Sequence, residues 1–406
     1  MSLNVTPSAN RLHIGFFGCR NAGKSSVVNA VTGQDLAVVS DKKGTTTDPV
    51  SKAMELLPLG PVVIIDTPGF DDTGMLGELR VRKTKQILNK SDIAVLVVDG
   101  TVGMNGIDRQ LLEIFLEKKI PYLIVYNKSD LVEKPQEENE NALWVSAVTG
   151  TNVRELKEKL GALAPKEDPA HRLIGNLIRP KDFVVLVCPI DESAPKGRMI
   201  LPQQQAIRDV LDAGAMSIVT REFELAATLD GLAEKPAMVV TDSQAFQVVS
   251  EITPEEIPLT SFSILMARYK GFLDTAVAGI AAMDRLKDGD TVLMAEGCTH
   301  HRQCNDIGTV KIPNWLKRYT GKNLNIKTCT GQEFPDDLSE ISMITHCGGC
   351  MITEREVKYR MKCAKDQGIP FTNYGIAIAQ MTGTLERSVR MFPEIHALLK
   401  GGCEDG

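Results

Sequence analysis

The chain has 406 residues, too many for one ordinary hydrophobic core, so two or three domains are expected. Its 43% hydrophobic and 24% charged residues are those of a globular protein, and a net charge of −6 argues against general attraction to nucleic acid or an anionic membrane. The opening MSLNVTPSAN lacks the apolar core of a signal peptide, and no run of about 18 apolar residues suggests a transmembrane helix, so a cytoplasmic setting with reduced thiols is expected.

From Leu12 the runs LHIGFFG, VVIIDTPG, IAVLVVDG, PYLIVYNK and ALWVSA read as buried strands separated by amphipathic stretches. That alternation predicts an α/β domain over residues 10–165 with strands joined by helices, closed by the linker GALAPKEDPA. The first strand leads into Gly18-Cys19-Arg20-Asn21-Ala22-Gly23-Lys24-Ser25, which fits the P-loop pattern, and the helix-like SSVVNAVTG, which includes Ser26, follows. Such a loop lets backbone N–H groups close around phosphates at the positive end of a helix. Lys24 would reach the outer phosphates and the Ser25 hydroxyl would bind Mg²⁺.

Asp66-Thr67-Pro68-Gly69 ends the second run, where Asp66 would hold the Mg²⁺ shell and the Gly69 N–H would face the terminal phosphate. Asn127-Lys128-Ser129-Asp130 follows a later run, and the Asp130 carboxylate can accept both N–H groups of a guanine edge. Ser146 and Ala147 complete the base pocket. The ordered set resembles the translation-factor-like GTPases of the Era/TrmE-like group. That resemblance implies GTP and Mg²⁺, makes Thr46 of Gly44-Thr45-Thr46-Thr47-Asp48 a Mg²⁺ ligand, and gives Asn21 a role in holding K⁺. Phe70 stands where Ras-like proteins have a water-orienting glutamine, so slow intrinsic hydrolysis assisted by K⁺ is expected.

A second α/β rhythm follows: FVVLVCPI, the helical QQAIRDVLDAG ended by Gly214, MSIVT, a helix over EFELAATLDGL, and PAMVVTD. Residues 172–260 carry no dense set of chemical groups and are expected to form a central dimerisation domain, making the protein a homodimer.

The third region, residues 261–406, places DTVLMAEG before CTHHRQC and ISMITHCGGC around the second cysteine group. Ligand sites in open α/β sheets collect at the carboxyl ends of strands, so the two groups could meet. Cys298-x-His300 and His346-Cys347-x-x-Cys350 are compatible with an iron–sulfur cluster, a Cys₃His zinc site or a thiol-redox pair. Cys304 is a possible further ligand. Cys329 and Cys363 lack a partner at ligand spacing, and Cys19, Cys188 and Cys403 read as packing or bystander thiols.

The GTPase motifs, a central α/β block, CTH at 298–300, HCGGC at 346–350 and the stretch PIDESAPKGRMILPQ at 189–203 together resemble the FeFe-hydrogenase maturation GTPases over nearly the whole chain. The resemblance implies an α/β protein with a P-loop GTPase domain, a central α/β dimerisation domain and a C-terminal α/β cluster domain. It implies a 4Fe-4S cluster on Cys298, Cys347 and Cys350 with an exchangeable fourth position, for which His300, His346 and, more remotely, Asp191 are candidates. It further implies a scaffold that receives a transient diiron subcluster with CO and CN⁻ ligands and passes it to apo FeFe-hydrogenase. Its partners would be the hydrogenase and the two radical-SAM maturases HydE and HydG, with no nucleic acid and no membrane. The alternatives are an RNA-maturation or ribosome-assembly GTPase with a zinc-binding module, against which the acidic balance weighs, and a thiol-redox enzyme regulated by GTP.

Overall fold

The computed structural model describes residues 7–34, 50–69, 86–133, 140–165, 171–190, 199–297, 306–331 and 334–401. The chain divides into two compact units, Met1–Lys166 and Glu167–Gly406.

In the first unit the apolar runs become β1 (Leu12–Phe17), β3 (Gly60–Asp66), β4 (Ile93–Asp99), β5 (Tyr122–Asn127) and β6 (Ala142–Trp144) of a six-stranded sheet, order β2-β3-β1-β4-β5-β6. These five are parallel. The edge strand β2 (Val50–Leu56) instead runs antiparallel to β3, and the apolar-run reading missed it because five of its seven residues are exposed. Side chains alternate between two cores. Ile14, Phe16, Val95 and Val97 pack with α1 (Lys24–Thr32) and a later helix, Val153–Leu163. Phe17, Ala94, Leu96 and Val98 pack with α2 (Gly106–Glu117) through Leu111 and Phe115. Helices on both faces explain why β4 is apolar at nearly every position. We number the helix Val153–Leu163 α3.

The second unit holds two parallel four-stranded sheets. The first has the order β10-β9-β7-β8, built from β7 (Phe183–Val187), β8 (Met216–Thr220), β9 (Met238–Thr241) and β10 (Leu259–Ser261), with helices α4 (Leu201–Asp212), α5 (Leu225–Asp230) and α6 (Phe246–Ile252). Ser261, where the cysteine-bearing region was expected to begin, is the last residue of β10 and caps α7 (Phe262–Tyr269). Helix α8 (Leu273–Ile280) follows.

The second sheet has the order β12-β11-β13-β14, with β11 (Thr291–Ala295), β12 (Asn325–Cys329), β13 (Met343–His346) and β14 (Phe371–Asn373). It is accompanied by α9 (Ile312–Thr320), α10 (Glu354–Asp366), α11 (Tyr374–Met381), α12 (Leu385–Val389) and α13 (Pro393–Gly401). One apolar core runs through both sheets, joining Val184, Leu186 and Val240 to Val292, Met294 and Ile344 by way of Leu265, Phe272 and Val277. No helix among the described residues is long and apolar enough to cross a membrane.

Candidate nucleotide site and candidate metal centre

The loop between β1 and α1 turns on backbone conformations that only certain residues tolerate. Gly18 has φ +140°, and a Cβ there would sit 2.1 Å from the carbonyl oxygen of Val97. Gly23 has φ +84°, and its Cβ would meet the Asn127 amide at 2.2 Å. Asn21 is held at φ 63°, a region that asparagine enters more readily than most residues. Lys24 is buried, and its ammonium donates to the carbonyls of Gly18 and Cys19, both at 2.9 Å. The Cys19 thiol interacts with Asn105, the cap of α2, and burial pushes its pKa up to about 11, which fits a packing role.

Ser25 at the start of α1 donates its hydroxyl to Asp66 Oδ2 at 2.9 Å, so the two oxygen groups expected at Mg²⁺ are already together. Asp66 Oδ1 is buried with no hydrogen-bond partner among the described residues. Burial raises the Asp66 pKa, opposed by Ser25 and by the charge of Lys24. A desolvated carboxylate with a free lone pair beside a hydroxyl is a hard-oxygen donor set that fits Mg²⁺. Gly69 lies against the backbone of Arg20 in the P-loop.

At the base end, Asn127 ties three segments together. Its amide nitrogen donates to Ala22 O at 3.1 Å, and its Oδ1 accepts the Ala147 N–H at 3.1 Å. Lys128 adopts φ 66° and its ammonium reaches Asp99 Oδ2 at 2.5 Å. Burial pushes the Asp99 pKa up, but hydrogen bonds from Lys128 and Thr101 outweigh it and leave the carboxyl below its usual range. Asp130 is exposed in the short turn Ser129–Leu131. Ser146 is fully buried, its hydroxyl accepting the Thr149 N–H at 3.1 Å. A recess of about 420 Å³ opens beside this loop, lined by Ser26, Asn29, Gly33 and Ala147.

The cysteine loop lies at the carboxyl ends of β11 and β13, which pair with Ala295 opposite His346. Cys347 Sγ accepts two backbone N–H groups, from Gly297 at 3.1 Å and Gly349 at 3.4 Å. Gly297 immediately precedes Cys298. Burial raises the Cys347 pKa, while these two N–H groups and Arg360 favour the thiolate. Converging N–H donors on a half-buried sulfur fit a metal-bound thiolate, whose charge they would offset. Cys350 is also half-buried on this loop. Among the described residues no three His, Cys, Asp or Glu side chains form a metal-holding group. Cys298, His300 and Cys304 lie outside the described residues, as do Thr46, Phe70, Asp191 and Cys403.

His346 is fully buried, its Nδ1 2.6 Å from Cys347 O and its Nε2 3.3 Å from the Arg360 guanidinium. Burial and then the Arg360 charge push its pKa down to about 3, so the ring is neutral. Sequence reasoning missed three buried polar residues here: Arg360, Glu296 and Tyr374. Tyr374 Oη donates to Glu296 Oε1 at 3.5 Å, and burial, followed by the charges of Cys347 and Glu296, raises the phenol pKa well above normal. Only the position of Glu296, two residues before Cys298, could have flagged it. Cys329 ends the neighbouring strand β12, and burial pushes its pKa up to about 11.

Asn127→Ala should leave the buried Ala22 carbonyl and Ala147 N–H without their partner. The expected cost is about 1–3 kcal/mol of stability, read from chemical denaturation followed by the fluorescence of Trp144 in a Trp315→Phe background.

Residues 13–128 match the family model for 50S ribosome-binding GTPases. The tRNA modification GTPase MnmE of Bordetella petrii is 34% identical over 154 residues, covering 38% of this chain and 34% of that protein. The GTPase Der of Maridesulfovibrio salexigens is 38% identical over 133 residues, covering 32% of this chain and 29% of that protein. The chain thus spans about a third of the length of the curated relatives it matches. A structure of Era from Aquifex aeolicus bound to GDP.AlF4- is 20% identical, with a TM-score of 0.35 over 52% of this chain and 93% of that one. Beyond the GTPase region, residues 173–271 match the hydrogen maturase F dimerization domain and residues 274–391 the hydrogen maturase F tetramerization domain. With a GTPase domain followed by these two consecutive domains, the chain belongs to the hydrogen maturase F (HydF) family.

Proposed function

We propose that the protein is a cytoplasmic GTP-hydrolysing scaffold that holds a 4Fe-4S cluster, carries a diiron precursor with CO and CN⁻ ligands, and delivers it to apo FeFe-hydrogenase in concert with HydE and HydG. The observation that carries the cluster part is the Gly297 N–H on Cys347 Sγ. It brings Gly297, the residue before Cys298 in the sequence, onto the first cysteine of the CGGC loop, which supports a shared site for the two motifs. Cys298, Cys347 and Cys350 would hold the cluster, and three thiolates leave one iron able to exchange its fourth ligand. That open position is the feature a carrier of a cyanide-bearing cargo requires.

The GTPase reading rests on the joined Ser25–Asp66 pair and on the Asn127 knot. Lys24 supplies charge at the phosphates, and Ser25, Asp66 and Thr46 hold Mg²⁺. Asp130 selects guanine, and Asn21 lines a K⁺ position. Lys24→Ala or Ser25→Ala should abolish phosphate release from GTP, because each removes charge stabilisation at the phosphates. Hydrolysis by the wild type should be faster in K⁺ than in Na⁺; equal rates would remove the role given to Asn21.

Single alanine replacements of Cys298, Cys347 or Cys350 should each prevent stable loading of four irons on anaerobic reconstitution while leaving GTP hydrolysis intact. Iron analysis with EPR reads the first effect. A wild-type protein that takes up zinc and no iron, or a triple variant that still loads four irons, would overturn the cluster reading.

Self-association has a physical basis in β8, an edge strand of the first sheet in the second unit. Its Met216 and Val219 are 41% and 46% exposed, and Phe223 just beyond is 81% exposed. An apolar, unpaired edge is a template for pairing with another chain, and a second copy satisfies it symmetrically. Val219→Lys should shift the solution mass, measured by light scattering, from the wild-type oligomer to a smaller species. An unchanged mass would place the interface elsewhere.

A further inference from the structure

We propose that Arg360 fixes the CGGC loop against the ends of β11 and β12, with His346 acting as its relay and not as an iron ligand; this rests on the cluster reading above. Arg360 lies on α10, whose sequence EREVKYRMKCAKD reads as a solvated charged helix, yet its side chain is fully buried. A buried guanidinium is costly unless its charge is paired and all five N–H donors find acceptors. Nε and Nη2 donate to Glu356 Oε1 at 3.1 and 3.0 Å, and Nη2 also donates to Gly331 O. Nη1 donates to Glu296 O and to His346 Nε2, both at 3.3 Å. The guanidinium lies 5.4 Å from the centre of the Phe334 ring, which closes off the remaining face.

The positions of these acceptors give Arg360 its role. Glu296 is followed by Gly297, whose N–H binds Cys347 Sγ, and then by Cys298. His346 is bonded directly to Cys347. Gly331 comes just after Cys329 at the end of β12. One planar, rigid fork therefore fixes the spacing between the ends of β11, β12 and β13, from which the ligand loops depart. A lysine ammonium is a point charge and cannot span these acceptors in the same way.

The same contacts set the state of His346. A guanidinium can only donate, so Nε2 must accept and the ring proton must sit on Nδ1, where it donates to Cys347 O at 2.6 Å. The ring is stacked on Phe371 at 5.5 Å and meets Phe272 edge-on at 6.1 Å. Binding iron through either nitrogen would break one of these two bonds. His346 thus passes the Arg360 constraint to the Cys347 backbone.

The test uses the full chain with and without iron. In the iron-free protein, ¹⁵N-histidine spectra should show His346 as the neutral Nδ1–H tautomer, and Arg360→Lys should change its Nε2 shift. After reconstitution, Arg360→Lys and Arg360→Met should lose iron to a chelator roughly 10- to 100-fold faster than wild type, the range seen when groups behind metal ligands are altered. Their reduced-state EPR should also shift, while GTP hydrolysis stays at the wild-type rate. His346→Gln should keep any histidine nitrogen coupling seen by pulsed EPR in the wild type. Arg360 variants that melt like wild type and retain iron with an unchanged EPR spectrum would overturn the positioning role. Loss of a nitrogen coupling in His346→Gln would overturn the relay role. Should the Arg360 variants fail to fold, His346→Leu decides, since it removes the Nε2 acceptor and leaves the Arg360–Glu356 pair in place: wild-type iron retention there sinks the proposal. A wild type that takes up no iron defeats the cluster reading, and the tautomer spectrum of the iron-free protein still decides the Arg360–His346 contact.

Discussion

Parallel pairing of β11 with β13 aligns Ala295 with His346, and the loops that follow both strands inherit that register. The Cys347 N–H continues the ladder by donating to Ala295 O at 2.9 Å, so the sheet bonds reach into the cysteine loop itself. A slip of one residue would turn every side chain of the strand to the opposite face. It would also part Gly297 from Cys347 Sγ and remove His346 from its aromatic slot. The sheet can hold this register because β11 and β13 are buried on both faces, with apolar side chains filling the shared core.

The nucleotide site follows the same logic with different bonds. Its motifs sit on β1, β3, β5 and the segment after β6, all of which deliver their loops to the carboxyl edge of one sheet. Asn127 then links the P-loop to the Ser146-Ala147 segment through one side chain. The amide serves as a brace between the two segments. Two of its four hydrogen-bonding positions are taken by protein, and the amide packs so closely on the P-loop that Gly23 must lack a Cβ.

The two sites differ in how they treat charge. Around Asp66 a carboxylate oxygen is buried without a partner among the described residues, an arrangement that favours the arrival of a cation. Around Cys347 the protein supplies two backbone N–H groups and a buried arginine, which favour the thiolate against the burial and the Glu296 charge that oppose it. Arg360 is itself neutralised by Glu356, so its contribution is chiefly geometric. Buried ion pairs of this kind stabilise little beyond an apolar replacement, but losing one partner costs several kcal/mol. Their value here lies in holding the strand ends at a fixed separation.

The P-loop, the Asp66-Thr67-Pro68-Gly69 turn, the segment around Asn127 and the HCGGC run stood out in the sequence because each is a contiguous run whose chemistry depends on near neighbours. The long apolar strands were legible because helices cover both faces of the sheets, leaving no polar positions to interrupt them. Strand β12 was not, since four of its five residues are exposed or half-exposed at an edge, and the three-residue β14 is too short to carry a period. Arg360 looked like one more surface charge on a helix with acidic and basic residues at most turns. Its burial, and its reach to Glu296, Gly331 and His346, depend on how α10 packs across the strand ends. Those acceptors are scattered along the chain, and only the hydrogen-bond register between parallel strands brings them within the span of one guanidinium.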